Sequence, residues 1–526
     1  MQPNISLLNN LAMALAEVIF HKYIQKQKEY ILVCFMALAC VASKAPLASS
    51  ETSCYESENV PCATVDLSLS SPPEILSLEN TIERALAFSD KILDAADSVF
   101  RSKLQISIAE SQFGIQMRPN GKFGYACVNQ RVKLDEDEST TVTKIKPCYG
   151  TGLTFSKKFY TGQEISFTPN VSNMDGERWG TGASLSFSQP LFRGFSKAYQ
   201  LNTLNAAQFS YRKAVRSFYS SQINSVLKAV TVFYEALKQR EIFRINQESS
   251  ARLKAHLETA KLKERLGIGS ELDIYRIEIE LSNAEESEFA SLEKLKDAED
   301  KLKDLIGLPL DSTILPEEKI VYNEPTLSLS QAISIANMNR IEIDQAADNL
   351  DEANRLAIVA KHQTLPDLNL LIEYSTSGYD SAFWNFYCCV DRKHNLNMTL
   401  TTNSDVTSRK EMAHYQQARV ALATISRAYE NTRSSIELDV RKSVRNYQTS
   451  WDRLHNLEEK LVASEASLKF AQLKYERGLA DNFDVIQAEK NIRSSKTQVF
   501  SMLIDYILSE YKLYMSLGTL IDKPCI

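Results

Sequence analysis

Two acids are the first candidates for chemistry in this chain of 526 residues, because each sits at the same place in a stretch that occurs twice. Leu262 to Glu278 reads LKERLGIGSELDIYRIE and Leu473 to Glu489 reads LKYERGLADNFDVIQAE. In both, an apolar-Asp-aliphatic triplet (Leu272-Asp273-Ile274, Phe483-Asp484-Val485) starts five residues after a Gly, Gly267 or Gly478. A carboxylate can act as a general base or hold a cation, but either task needs a second group at a fixed spacing, and none accompanies Asp273 or Asp484. The six His have no metal-ligand spacing. Gly267-Ile268-Gly269 lacks the third Gly of a dinucleotide loop and follows a helical stretch, and neither a Gly-x-Ser-x-Gly elbow nor a phosphate loop occurs. No catalytic residue, cofactor or metal is expected, and an envelope enzyme built on Asp273 and Asp484 is the weakest reading.

Cysteine usage agrees with an exported protein. Ile31 to Ala42 is an apolar run of about 12 residues behind Lys22, Lys26 and Lys28, too short to span a bilayer and suited to a signal-peptide core. Residues 1–43 are therefore expected to be a signal peptide with a preceding extension. Cys40, behind Ala37-Leu38-Ala39, is a candidate lipidation site, although Ala37 stands where a large aliphatic is expected. Cys127 and Cys148 would close a loop of about 20 residues, where a disulfide is worth roughly 3 kcal/mol in an oxidising compartment; that pairing is a candidate. Net charge is −6 with both signs mixed throughout, so no basic face offers itself to nucleic acid.

The doubled stretch needs long elements to hold it. Each Gly reads as a helix C-terminal cap, and Ser270 or Asp481 as the N-cap of a returning helix, so each copy is a helical hairpin tip. The register continues to Gly307 and Gly518, a duplicated unit of roughly 200 residues instead of a short solenoid repeat. Before each tip, Ser196 to Leu266 and Thr407 to Arg477 run about 70 residues without Gly or Pro, which as a continuous helix is about 105 Å. Val485, Ile492, Val499, Tyr506 and Leu513 recur at seven, with Ile274, Leu281, Glu288, Leu295 and Leu302 as counterparts. That period predicts coiled-coil packing.

The remaining segments fall into place around these hairpins. Residues 44–77 are a Ser/Thr/Pro-rich lead-in expected to be flexible. Helices are expected over 78–117 and 329–363, stopped by Pro119 and Pro366. The period then changes from 3.6 to 2, and strands are expected over 121–189 and 367–402. The first structural repeat spans 78–307 with helical hairpin 196–307. A linker over 308–328 follows, then a second repeat over 329–518 with hairpin 407–518, and a tail over 519–526. One strand face apolar and the other small or polar suits both a barrel between lipid and water and an ordinary half-exposed sheet.

Three features together resemble the TolC-like outer-membrane efflux proteins over nearly all of the chain after Leu78. They are Ser188-Gln189-Pro190-Leu191-Phe192-Arg193-Gly194-Phe195 between strand and long helix, the doubled Gly…Asp-aliphatic tips, and the Pro-then-strand starts at Pro119 and Pro366. The resemblance implies an α+β membrane protein with two structural repeats per protomer. In it a homotrimer shares an outer-membrane β-barrel, four strands per protomer, continued by a long α-helical coiled-coil barrel in the periplasm. It implies the exit channel of a tripartite efflux or type I secretion system, in contact with outer-membrane lipid, docking a periplasmic adaptor (membrane fusion) protein and an inner-membrane pump of RND, ABC or MFS type.

By the same resemblance Asp273, Asp484 and Tyr475 match an entrance gate, and Leu266, Gly267, Ile268, Arg477, Gly478 and Leu479 match adaptor-binding tips. The chain departs from the family at Gln487 and Ala480, where a second axial Asp and a latching Arg would stand. Its second half has Thr402-Asn403-Ser404-Asp405-Val406 in place of the Pro-Leu-Phe-x-Gly turn. Four alternating segments in the first half, where two are needed, leave open whether a hairpin near Leu153 to Phe167 lies outside the barrel or lengthens it. The alternative is a periplasmic coiled-coil scaffold, which leaves the strands and the Pro190 junction without a role.

Overall fold

The computed structural model describes residues 74–524 except 136–137, 174–178, 268–269, 381–392, 404–407 and 478, and leaves the side chains of 126–146, 379 and 380 undescribed. The expected leader (1–43), the lead-in up to residue 73, and Cys40, Ile268 and Gly478 thus lie outside the described residues. The chain starts with β1 (Glu74–Leu76), α1 (Leu78–Phe88) and α2 (Asp90–Ser111), then β2 (Ile115–Asp135), β3 (Glu138–Lys158), β4 (Glu164–Asn173) and β5 (Trp179–Pro190). After the short α3 (Lys197–Gln200), α4 (Asn202–Arg265) and α5 (Glu271–Ile306) make the first hairpin. Strand β6 (Ile314–Pro316) leads to α6 (Leu329–Asn339), α7 (Ile341–Gln363), β7 (Leu368–Asp380) and β8 (Lys393–Thr402), and α8 (Arg409–Glu476) and α9 (Asn482–Leu517) make the second hairpin.

Local chemistry explains these boundaries. Ser77 and Ser328 cap α1 and α6, the latter in a capping box with Gln331. Gly307 and Gly518, in the left-handed region at φ 69° and 72°, end the two returning helices. Pro119 does not stop a helix as expected: α2 ends at Ser111, and Pro119 lies inside β2 opposite Leu153. Glu74–Leu76, expected in the flexible lead-in, pairs in parallel with Ile314–Pro316 of the expected linker, and Leu76 and Ile314 are both buried there.

The long helices bury one stripe each. Val485, Ile492, Tyr506 and Leu513 are all buried, as are Leu295 and Leu302 in the first hairpin. Helix α9 serves two seams at once. Met502, Tyr506 and Leu513 pack with Val440, Val444 and Tyr447 of α8, while Ile504, Ile507 and Leu508 join Val226, Val230 and Phe233 of α4. An apolar arc wide enough for two neighbours locks the hairpins side by side.

Among the described residues six long strands form one antiparallel sheet in the order β2-β3-β4-β5-β7-β8. The two repeats meet at β5 and β7, where Pro190 is opposite Asn369 and Trp179 opposite Asp380. Four strands per protomer were implied by the resemblance; six are hydrogen-bonded together, so the hairpin around Leu153 to Phe167 is part of the sheet. The candidate Cys127–Cys148 bridge does not form. Cys148 is a free thiol opposite Gly124, and Cys127 is opposite Ile145, three rungs away. At about 3.4 Å per residue that offset is about 10 Å, beyond the ~7 Å limit between the Cα atoms of a disulfide.

Candidate functional site

The register sorts the sheet into two unlike faces. One carries Ile115, Met117, Leu153, Phe155, Ile165, Phe167, Leu185, Phe187, Ile372, Tyr374, Met398 and Leu400 across the whole width, with Lys157 between Ile115 and Ile165. Phe123, Tyr125 and Tyr149 continue that face toward the end remote from the helices, with ring centroids 6.2 and 5.6 Å apart. The other face carries Asn120, Thr154, Thr168, Ser166, Ser186 and Asn397. Asn120 Nδ2 donates to Thr154 Oγ1 at 3.2 Å, Thr168 Oγ1 donates to the same oxygen at 3.2 Å, and Ser166 and Ser186 hydroxyls are 2.7 Å apart. An apolar band capped by aromatics, backed by a hydroxyl- and amide-lined face, is the arrangement of a barrel wall between lipid and water. The sheet of a single chain is open, with β2 and β8 as its edges.

At the far end of the helices the two hairpin tips lie together. Gly267 takes φ 73° and its N–H bonds the Glu264 carbonyl at 2.8 Å, so the sequence-expected cap forms. A β-carbon added to Gly267 would meet nothing within 4 Å. Leu266 and Leu479 are each 75 % exposed, and Leu262, Leu272, Leu473 and Phe483 are exposed beside them. Polar tips would satisfy water better, so six exposed large apolar side chains at two adjacent turns form a surface that stands to gain from being covered.

The gate candidates do not share one environment. Asp484 is exposed in the first turn of α9. Asp273 is 22 % exposed, lies 3.9 Å from Arg276, and its carbonyl accepts a 3.1 Å hydrogen bond from Asn482 Nδ2. Arg276 also reaches Asp481 at 3.5 Å, which ties tip to tip. Tyr475 faces the seam: Lys263 Nζ stands over its ring and His256 meets its edge at 5.2 Å. Burial, and then the nearby Asp273 and Asp481 carboxylates, push the Tyr475 hydroxyl up, so it stays protonated. His256 also touches Asn482 Oδ1 at 2.6 Å.

Sequence reading missed this partner set. Lys263 has Lys474 as its counterpart in the repeat, but His256, Arg276 and Asn482 are matched by Ser467, Gln487 and Glu271, so the doubling does not mark the set. A second cross-link lies further up: Arg252 to Glu489 at 3.1 Å and Lys490 to Glu280 at 2.7 Å, with both acids about 5 % exposed. Both pairs join the first hairpin to α9.

A two-repeat chain with one barrel-type sheet and two coiled helical hairpins defines a class, and comparison with known proteins specifies it. Residues 332–519 match the family model for the outer membrane efflux protein. The chain is 20 % identical over 353 residues to the outer membrane protein TolC of Salmonella enteritidis, covering 66 % of this chain and 70 % of that one. Among solved structures it superposes on the Campylobacter jejuni CmeC outer membrane channel with TM-score 0.66 at 12 % identity, covering 91 % of this chain and 95 % of that one. The open state of the Neisseria gonorrhoeae MtrE outer membrane channel gives TM-score 0.63 at 16 % identity, covering 85 % and 89 %. Residues 332–519 are thus similar to the outer membrane efflux proteins, and the chain as a whole shares the fold of the solved outer membrane channels.

Proposed function

We propose that this protein is the outer-membrane exit channel of a tripartite efflux or secretion system, a passive conduit and not an enzyme. The observation that carries the reading is the open two-faced sheet. Its edge strands carry unpaired backbone groups beside an apolar face, and such edges cannot remain in lipid, so further copies of the chain must close the wall. A homotrimer whose sheets form one outer-membrane barrel and whose hairpins form one periplasmic tunnel answers that need. The exposed apolar tips suit a periplasmic adaptor, through which an inner-membrane pump of RND, ABC or MFS type would deliver cargo.

The supporting helical feature is Leu93, Leu104 and Ile108, large apolar side chains exposed along α2. The test is assembly: membrane extraction in detergent followed by native mass measurement should give three chains, and proteoliposomes should pass small solutes. A protein released by carbonate as a monomer would return the scaffold reading.

A further inference from the structure

Resting on the trimeric reading, we propose that all six strands of each protomer belong to the barrel wall, which makes an 18-stranded barrel closed by β2 of one protomer against β8 of the next. The alternative keeps four strands per protomer in a 12-stranded wall and leaves the additional hairpin outside it.

Three observations favour the wider wall. The apolar band continues through β2 and β3 on one full rung, where Met117 is in register with Phe155, Phe155 with Phe167, and Phe167 with Leu185, and Lys157 stands between Ile115 and Ile165 on the rung nearer the helices. A hairpin projecting from the wall would have no reason to keep its apolar residues at the height of the band. The polar face is equally continuous, since Asn120, Thr154 and Thr168 join β2, β3 and β4 by side-chain hydrogen bonds at 3.2 Å.

The connections then decide which strand is the true edge. Along the helical layer beneath the sheet, α2 packs on α4, α4 on α7 and α7 on α8. The α4–α7 contact is fixed by Arg212 and Arg216 on Asp348 at 2.9 and 2.7 Å. So α2 and α8 are the outer helices of that layer. Helix α2 runs directly into β2 through Phe113-Gly114, and β8 precedes α8. Sheet and helical layer therefore end on the same two sides. One head-to-tail interface, α2 and β2 against α8 and β8, closes both layers by the same rotation. The inserted hairpin lies inside the wall, between the strand attached to α2 and the strand that feeds α4.

Widths agree with this. Six strands about 4.8 Å apart and tilted about 40° span about 38 Å of circumference, close to the about 40 Å of four helices packed about 10 Å apart. Eighteen strands give a wall about 1.5 times as wide as 12.

Two experiments test the wall. Electron cryomicroscopy of the detergent-extracted full chain should show 18 strands around the axis; 12, with the hairpin outside, would overturn the proposal. Independently, Asn120→Cys on β2 combined in turn with Thr399→Cys, Asn397→Cys or Asn395→Cys on β8, in a chain whose native Cys are Ser, should give an oxidant-dependent ladder to covalent trimer for at least one pair. Capture of β8 by Thr168→Cys on β4 instead would overturn it. A monomer in both experiments would overturn it together with the trimeric channel, whereas a 12-stranded trimer removes the wide wall alone.

Discussion

Lys263 holds Tyr475 in two ways: its Nζ lies 3.7 Å from the centre of the ring and donates a 3.2 Å hydrogen bond to the Tyr475 carbonyl oxygen. That contact fastens the end of α8 to the end of α4 within one protomer. A cation over a ring at such a site is worth about 0.5–2 kcal/mol, so its loss shifts a closed-to-open equilibrium by roughly 2- to 30-fold. Lys263→Ala and Tyr475→Ala should each raise the open fraction in planar-bilayer recordings, while Lys263→Arg keeps the parent behaviour. Unchanged recordings in both Ala variants would show that the seam does not gate.

The two matched acids should differ in what they do to ions. Asp484 is exposed, and Asp273 is partly buried against Arg276. If three Asp484 side chains face one axis, their repulsion in a wet pore is only about 1 kcal/mol per pair, and cations are preferred. Asp484→Ala should abolish the preference and Asp273→Ala should retain it. Reversal potentials in a salt gradient decide, and the opposite pattern moves the ring to Asp273.

Gly267 separates capping from docking. With open space around it, Gly267→Ala costs only the left-handed backbone strain, about 1–2 kcal/mol. Trimers should survive in Gly267→Ala and Gly267→Glu, but Glu should block a partner that approaches the turn and abolish export; Gly478→Glu is expected to do the same. Normal export by both Glu variants would remove the adaptor role of the tips.

Gly518 should be the less replaceable of the two C-terminal caps. A β-carbon there would stand 2.9 Å from the carbonyl carbon and oxygen of Asn339, backbone that cannot yield, whereas at Gly307 it would stand 3.0 Å from the ring of Phe88, which is 61 % exposed and free to turn. Both share the left-handed strain of about 1–2 kcal/mol. Gly518→Ala should therefore lower the thermal midpoint of the detergent-extracted protein more than Gly307→Ala; equal shifts would show that the α6 terminus moves aside.

Asp348 gives the upper helical layer a pH dependence. Burial works to raise its carboxyl, but hydrogen bonds from Arg212 and Arg216, and then their charges, outweigh it and hold the group below its ordinary value. A depressed carboxyl contributes stability that is complete above its unfolded pKa, about 3.9, and is lost as pH falls through the folded value. Asp348→Ala should destabilise at pH 7 by about 1–3 kcal/mol, because the largely buried Arg216 loses its partner. The deficit relative to the parent should shrink below about pH 4. A deficit constant from pH 7 to pH 3 would assign the loss to packing.

The sequence by itself determined the two-repeat plan, the long hairpins and the tips, because those depend on local signals. A helix needs only a 3.6 or 3.5 period and an absence of Gly and Pro, and its ends need only a cap, which is why Ser270, Gly307 and Gly518 are where the residue types put them. The doubling of the Gly…Asp stretch made the tips legible with no structure at all. The failures share a cause of the opposite kind. Strand partners are set by register over long separations: Pro119 reads as a helix stop until Leu153 is seen opposite it, and Cys127 and Cys148 read as a pair until three rungs part them. Alternation in the first half showed four segments but not whether they join one wall, because a period of two specifies faces and not neighbours. At the tips, Lys263 on Tyr475 and Arg276 between Asp273 and Asp481 bring residues about 200 positions apart into contact, and each is an ordinary helix-surface charge in the sequence. Only the side-by-side packing of the hairpins through α9 decided which of those charges face a partner and which, like Asp484, face open space.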